Sequence, residues 1–137
     1  MSRILAIDYG KRRVGIAVTD PMQMIASALA TVDEKESIDF LKDYCTREEV
    51  EAVVVGQPKR WSGELSQVEA DILIFIQKLG EAVPGIRIDR YDERFTSKMA
   101  KASLLESGVK KKGRRDKSQL DSISATLILQ DYLASRI

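Results

Sequence analysis

Two β-prone runs stand almost back to back at the start of this chain, and they constrain its fold more than any other feature. Arg3–Tyr9 reads RILAIDY and Val14–Thr19 reads VGIAVT, joined by the short connection Gly10-Lys11-Arg12-Arg13. Two such runs around a Gly-containing turn read as an antiparallel hairpin. The first run, Ile4-Leu5-Ala6-Ile7, suits a central strand buried on both faces, and it ends on Asp8. A carboxylate at the tip of such a strand costs desolvation unless something compensates it.

The rest of the chain builds outward from that hairpin. Asp20-Pro21 ends the second strand, and Ala28–Val32 is expected to add a third. Ile38, Leu41 and Tyr44/Cys45 recur at helical spacing within Glu34–Thr46. Ala52–Val55 is a β-branched run stopped by Gly56-Gln57-Pro58. Leu65, Val68, Ile72, Phe75, Ile76 and Leu79 pattern an amphipathic helix, which Gly80 and Pro84-Gly85 are expected to end. Ile86–Tyr91 reads as a fifth strand, Thr96–Glu106 as a helix, and Ser118–Leu133 as a last helix. The order is β-β-β-α-β-α-β-α-α. Short connections make strands one to three antiparallel, while helical crossovers add strands four and five in parallel. The expected architecture is an α/β fold with a mixed five-stranded sheet flanked by helices. At 137 residues, one domain spanning the whole of 1–137 is expected.

Composition narrows the chemistry. There is no histidine, so a Ser-His-Asp triad, a Cys-His pair and an imidazole zinc site are excluded. The single cysteine, Cys45, forms no intramolecular disulfide and suits a reducing compartment. No apolar stretch approaches a membrane span or a signal segment, so the chain reads as cytoplasmic and soluble, with no membrane partner. The net charge of +1 gives no global attraction to nucleic acid, which leaves local charge placement to decide.

Asp8, Glu93 and Asp121 are the candidate chemical groups. Glu93 sits just beyond the fifth strand. Asp121 lies in the first turns of the last helix, with Ala125, Ile128 and Tyr132 four, seven and eleven positions further on, so its face is expected to look inward. Each has a plainer reading. Asp8 can be a turn residue, Glu93 a surface charge, and Asp121 a partner of the helix dipole. Together, on strand ends and the start of a packed helix, they can converge. Three carboxylates without histidine suit Mg²⁺ or Mn²⁺, one or two ions. Two such ions can clamp a phosphodiester, one activating water and the other stabilising the leaving oxygen.

Four segments carry a family resemblance, in order and over essentially the whole chain. They are Ile7-Asp8-Tyr9-Gly10-Lys11-Arg12-Arg13-Val14-Gly15-Ile16-Ala17, Val55-Gly56-Gln57-Pro58, Asp92-Glu93-Arg94-Phe95-Thr96-Ser97, and Lys117-Ser118-Gln119-Leu120-Asp121-Ser122-Ile123-Ser124-Ala125. The chain resembles the YqgF/RuvX family. That resemblance implies a ribonuclease H-like fold. It also implies one of two activities for which the family is described, Holliday junction resolution or maturation of the 5′ end of pre-16S ribosomal RNA. It further implies that Asp8, Glu93 and Asp121 are the acidic triad that is catalytic and ligates the metal. The family's usual Gly-Leu-Pro is Gly-Gln-Pro here, followed by Lys59-Arg60-Trp61, so the substrate loop departs from the pattern.

Basic side chains supply the expected nucleic-acid contacts. Lys110, Lys111, Lys112, Arg114, Arg115 and Lys117 lead straight into the helix bearing Asp121. A solvated loop is the ordinary reading of such a run, but beside a metal site it can hold phosphates without base specificity. Lys11, Arg12 and Arg13 beside Asp8 can extend the same patch or simply form a charged turn. Arg94 offers a fork for phosphate oxygens, or an ion pair with Asp92 or Glu93. Thr96 and Ser97 read as helix caps rather than nucleophiles. Trp61 can stack on a base or anchor its loop. Tyr9 is expected to fill the opposite face of the first strand.

The expected function is metal-dependent phosphodiester hydrolysis on structured RNA or branched DNA. Precursor rRNA ranks first and junction DNA second, with the chain a monomer or a homodimer. Two other classes compete. A non-catalytic nucleic-acid-binding module has no reason to gather carboxylates beside its phosphate site. A kinase of the actin type also opens with an Asp-x-Gly hairpin, but it closes two domains around ATP.

Overall fold

In a computed structural model of the chain, residues 2–58, 68–92 and 117–135 are described, with side chains in the last helix from Ser122 onward. The strands are β1 (Arg3–Tyr9), β2 (Arg13–Thr19), β3 (Ala26–Asp33), β4 (Val50–Gln57) and β5 (Arg87–Asp92). The described helices are α1 (Glu34–Arg47), α2 (Glu69–Ala82) and α3 (Lys117–Ser135). The sheet order is β3-β2-β1-β4-β5. β1 pairs antiparallel with β2, β2 pairs antiparallel with β3, and β4 and β5 add in parallel. This is the mixed sheet read from the sequence, with β1 at its centre.

Alternation along β1 divides the core in two. Leu5 and Ile7 enter one cluster with Leu41 and Tyr44 of α1 and Ile72, Phe75 and Leu79 of α2. Ile4 and Ala6 enter the other with Ala125, Ile128 and Leu129 of α3. A strand presents successive side chains to opposite faces, so one four-residue run anchors both helical layers. All four residues are fully buried. That double burial explains why the run is apolar throughout rather than alternating.

The hairpin turn is fixed by backbone contacts. A Cβ at Gly10 would meet the Arg13 carbonyl oxygen at 2.7 Å, so the turn admits only glycine without a shift of main chain. The Arg12 carbonyl accepts the Glu34 N–H at 2.9 Å, which satisfies a donor left open at the start of α1. The Tyr9 hydroxyl donates to Glu34 Oε1 at 3.3 Å, and its ring lies 5.2 Å from that of Phe75. Tyr9 thus fills the face opposite α3, as expected.

Several boundaries differ from the sequence reading. β3 spans Ala26–Asp33 rather than Ala28–Val32, because β2 pairs with it from Arg13 to Thr19. β5 starts and ends one residue later than Ile86–Tyr91. α2 runs through Gly80 to Ala82. Burial of Leu79 outweighs the roughly 1 kcal/mol that an internal glycine costs. The helix stops where Pro84 can donate no amide. Its described part begins at Glu69, with Val68 before it, and the expected start at Leu65 lies outside the described residues. The helix expected over 96–106 lies outside the described residues.

Candidate active site

Three strand and helix ends meet at one edge of this sheet. Asp8 follows Ile4 and Ala6 at two-residue steps along β1, so it occupies the face that α3 covers. Its partner across β2 is Gly15. The position facing the carboxylate therefore carries no side chain. Asp8 itself is half-buried and engages other groups of the protein.

The polarity of α3 is set at its far end. The Tyr132 hydroxyl donates to Asp89 at 2.6 Å and accepts from Arg87 at 3.2 Å. Arg87 is level with Ala52, which is level with Ile4, so Tyr132 lies at the amino end of β1. From Tyr132 back to Asp121 the helix axis advances about 16 Å. From Ile4 to Asp8 the strand advances about 13 Å. α3 therefore runs opposite to β1, and the backbone of Asp121 stands over the end of the sheet that holds Asp8. Ala125, Ile128 and Tyr132 form the inward stripe of α3, as their spacing predicts.

β5 arrives at the same edge. Ile7 is level with Val55, Gly56 with Tyr91, and Gln57 with Asp92. The strand that precedes Glu93 thus ends beside the carboxyl end of β4, next to β1. Glu93 and Arg94 themselves lie outside the described residues. So do Lys110, Lys111, Lys112, Arg114, Arg115 and Trp61, and nothing is described of the side chains of Lys117 and Asp121. Among the described residues no group of three acidic, cysteine or histidine side chains is placed to hold a metal.

Of the basic turn, Lys11 and Arg12 are exposed. Lys11 Nζ lies 3.7 Å from Asp71 on α2, on the side of the sheet away from α3. An exposed pair of this kind contributes at most about 1 kcal/mol, so the lysine is readily released.

Sequence reasoning missed a charged group at this edge. Glu69 opens α2 and is buried at 6% exposure. Arg90 on β5 forks onto it, with Nη2–Oε1 at 2.7 Å and Nη1–Oε2 at 2.9 Å. Gln57 Nε2 donates to Glu69 Oε2 at 3.2 Å. The only sequence signal was Gln57 standing where the family's usual motif has leucine.

At the opposite end of the sheet, Met22, Met24 and Ile25 line an open groove with Gln130, Leu133 and Ala134 of α3. It lies away from Asp8 and plays no part in the candidate site.

The family model RuvX, described as Holliday junction resolvase, matches residues 2–135. The chain belongs to the RuvX family. A curated relative from Flavobacterium psychrophilum is 53% identical over 137 residues, covering 100% of both chains, and bears the name "Putative pre-16S rRNA nuclease". A relative from Phocaeicola vulgatus with the same name is 47% identical, covering 99% of this chain and 98% of its own. Among solved structures, RuvC of T. thermophilus in complex with a Holliday junction substrate superposes with a TM-score of 0.56 at 18% identity, covering 99% of this chain and 96% of that one. At that identity the likeness establishes the shared fold, which is ribonuclease H-like. Among the described residues of this RuvX chain, no helix is long and apolar enough to cross a membrane.

Proposed function

We propose that this RuvX chain is a cytoplasmic, divalent-cation-dependent nuclease that matures the 5′ end of pre-16S rRNA, with residues 1–137 forming one nuclease domain. The observation that carries this reading is the meeting of Asp8 with the start of α3 at the carboxyl end of β1. Asp8, Glu93 and Asp121 are the proposed catalytic and metal-binding carboxylates. An oxygen-only donor set fits a hard cation. Bound there, Mg²⁺ or Mn²⁺ supplies positive charge against the negative charge that builds on the phosphate during hydrolysis.

The chain's own residues do the rest. Asp8 is held at a fixed height by the β1–β2 and β1–β4 ladders, so its carboxylate needs little reorganisation. Arg94 binds a non-bridging phosphate oxygen through its guanidinium fork. Lys11, Arg12, Lys110, Lys111, Lys112, Arg114, Arg115 and Lys117 hold the flanking backbone without reading bases. The products are a 5′-phosphate and a 3′-hydroxyl.

The rRNA assignment draws support from near-full-length relatives that carry that name. A second reading, cleavage of branched DNA, draws support from the family description and from the junction-bound RuvC. It requires two symmetric cuts and hence a homodimer, whereas end trimming needs one active site. The test is a cleavage panel with Mg²⁺ or Mn²⁺, offering pre-16S leader RNA, a four-way DNA junction and linear controls. Wild type should cut the leader, and Asp8→Asn should cut nothing while remaining folded. Preferential junction cutting would replace the rRNA assignment. Binding without cleavage by wild type would replace the enzyme with a binding module.

A further inference from the structure

Among the described residues, Glu69 is the one acidic or basic residue that is buried. Its carboxylate takes both Arg90 contacts and the Gln57 amide. Arg90 has donors to spare, and it spends them on main chain. Nε donates to the Val55 carbonyl and Nη2 to the Gly56 carbonyl, each at 3.2 Å. One guanidinium therefore ties the carboxyl end of β4 to the first residue of α2 and to β5.

Burying a charged pair is a poor route to stability, because desolvation offsets most of the attraction and packed apolar side chains would do as well. What such a pair does provide is fixed geometry, since a planar fork matches a carboxylate in one orientation. The place where it does so matters. Val55 is level with Ile7, the neighbour of Asp8, and Arg90 lies three positions before Glu93 in the chain.

We propose that Arg90 and Glu69, with Gln57, form a positioning clamp for the nuclease site. The clamp locks the carboxyl ends of β4 and β5 to each other, with β4 lying between β5 and β1, so that the chain leaving β5 starts from a point fixed relative to Asp8. Neither residue touches substrate; both act through the placement of the carboxylates. This inference rests on the proposed nuclease reading.

Arg90→Lys is the informative variant. Lysine keeps the charge for Glu69 but cannot also reach both carbonyls of β4. Three quantities are measured on wild type and variant: thermal midpoint, Mn²⁺ affinity by calorimetry, and kcat and KM on the cleaved substrate. The expected result is a folded protein with KM within twofold of wild type, kcat at least tenfold lower and Mn²⁺ binding several-fold weaker. Glu69→Gln, which retains the side-chain shape but not the charged fork, should show the same split. A purely structural pair would lower the midpoint and leave kcat of the folded enzyme unchanged, and that outcome overturns the proposal. So does loss of folding in both variants. Failure of wild type to cleave any substrate strikes the nuclease reading instead, and the Mn²⁺ affinities then still decide the clamp.

Discussion

The hydroxyl of Tyr132 donates to the Asp89 carboxylate at 2.6 Å, across 43 residues of chain. That contact pins the carboxyl half of α3 to the amino half of β5 and so fixes which end of the helix overlies Asp8. Tyr132→Phe should lower unfolding stability by about 1 kcal/mol, the usual net value of one such bond. Arg87 remains beside Asp89 in the variant, which limits the loss. Urea denaturation reads the change, and an unaltered midpoint would mean that apolar packing alone orients α3.

Gly10→Ala should destabilise the protein by about 1–3 kcal/mol, the typical cost of forcing an atom into a filled position. The new methyl group would sit 2.7 Å from the Arg13 carbonyl oxygen, which is backbone and cannot swing aside. Chemical denaturation compares the two proteins. A neutral effect would show that the β1–β2 turn relaxes freely.

Tyr9 gives the fold a weakness in alkali. Burial, followed by the charge and hydrogen bond of Glu34, pushes its phenol up to about 12. The unfolded phenol titrates near about 10. A raised folded value means that the folded state holds the proton longer. Its contribution is fully present below about pH 10 and is lost as pH rises toward about 12. Stability measured across that window should fall more steeply for wild type than for Tyr9→Phe. Parallel curves would remove Tyr9 from the alkaline transition.

Metal binding should be visible without any nucleic acid. A ligand that binds only the folded state at one hundred times its dissociation constant adds about 2.7 kcal/mol. Mn²⁺ should therefore raise the melting temperature of wild type, and a chelator should reverse the rise. Asp8→Asn should melt at the same temperature with and without Mn²⁺. An equal Mn²⁺ shift in both proteins would place the ion elsewhere.

Much of this was legible in the sequence because single-element patterns carry it. The unbroken Ile4–Ile7 run marked the central strand with Asp8 at its tip, and the structure's packing of Ile4 and Ala6 on α3 then gave the face of Asp8. The spacing of Ala125, Ile128 and Tyr132 marked the inward stripe of α3. What escaped notice depends on pairs distant in the chain. Glu69 looks like an ordinary first-turn acid, and only the parallel pairing of β4 with β5 brings Arg90 to it. Gly80 signalled a helix end, but the buried Leu79 beside it carried the helix onward. Ala26 and Ser27 have weak strand propensity, and β2 recruits them by pairing.

The central place of β1 has a consequence for how the protein comes to life. Its parallel neighbour β4 begins at Val50, so one side of β1 stays open until that residue has been made. The face carrying Asp8 is closed later still, by α3, which starts at Lys117. Contacts so far apart in the chain close slowly and after local ones. A partly synthesised chain therefore holds Asp8 on a face that α3 has not yet covered. The proposed site is therefore the last part of the fold to be completed, when the final helix docks.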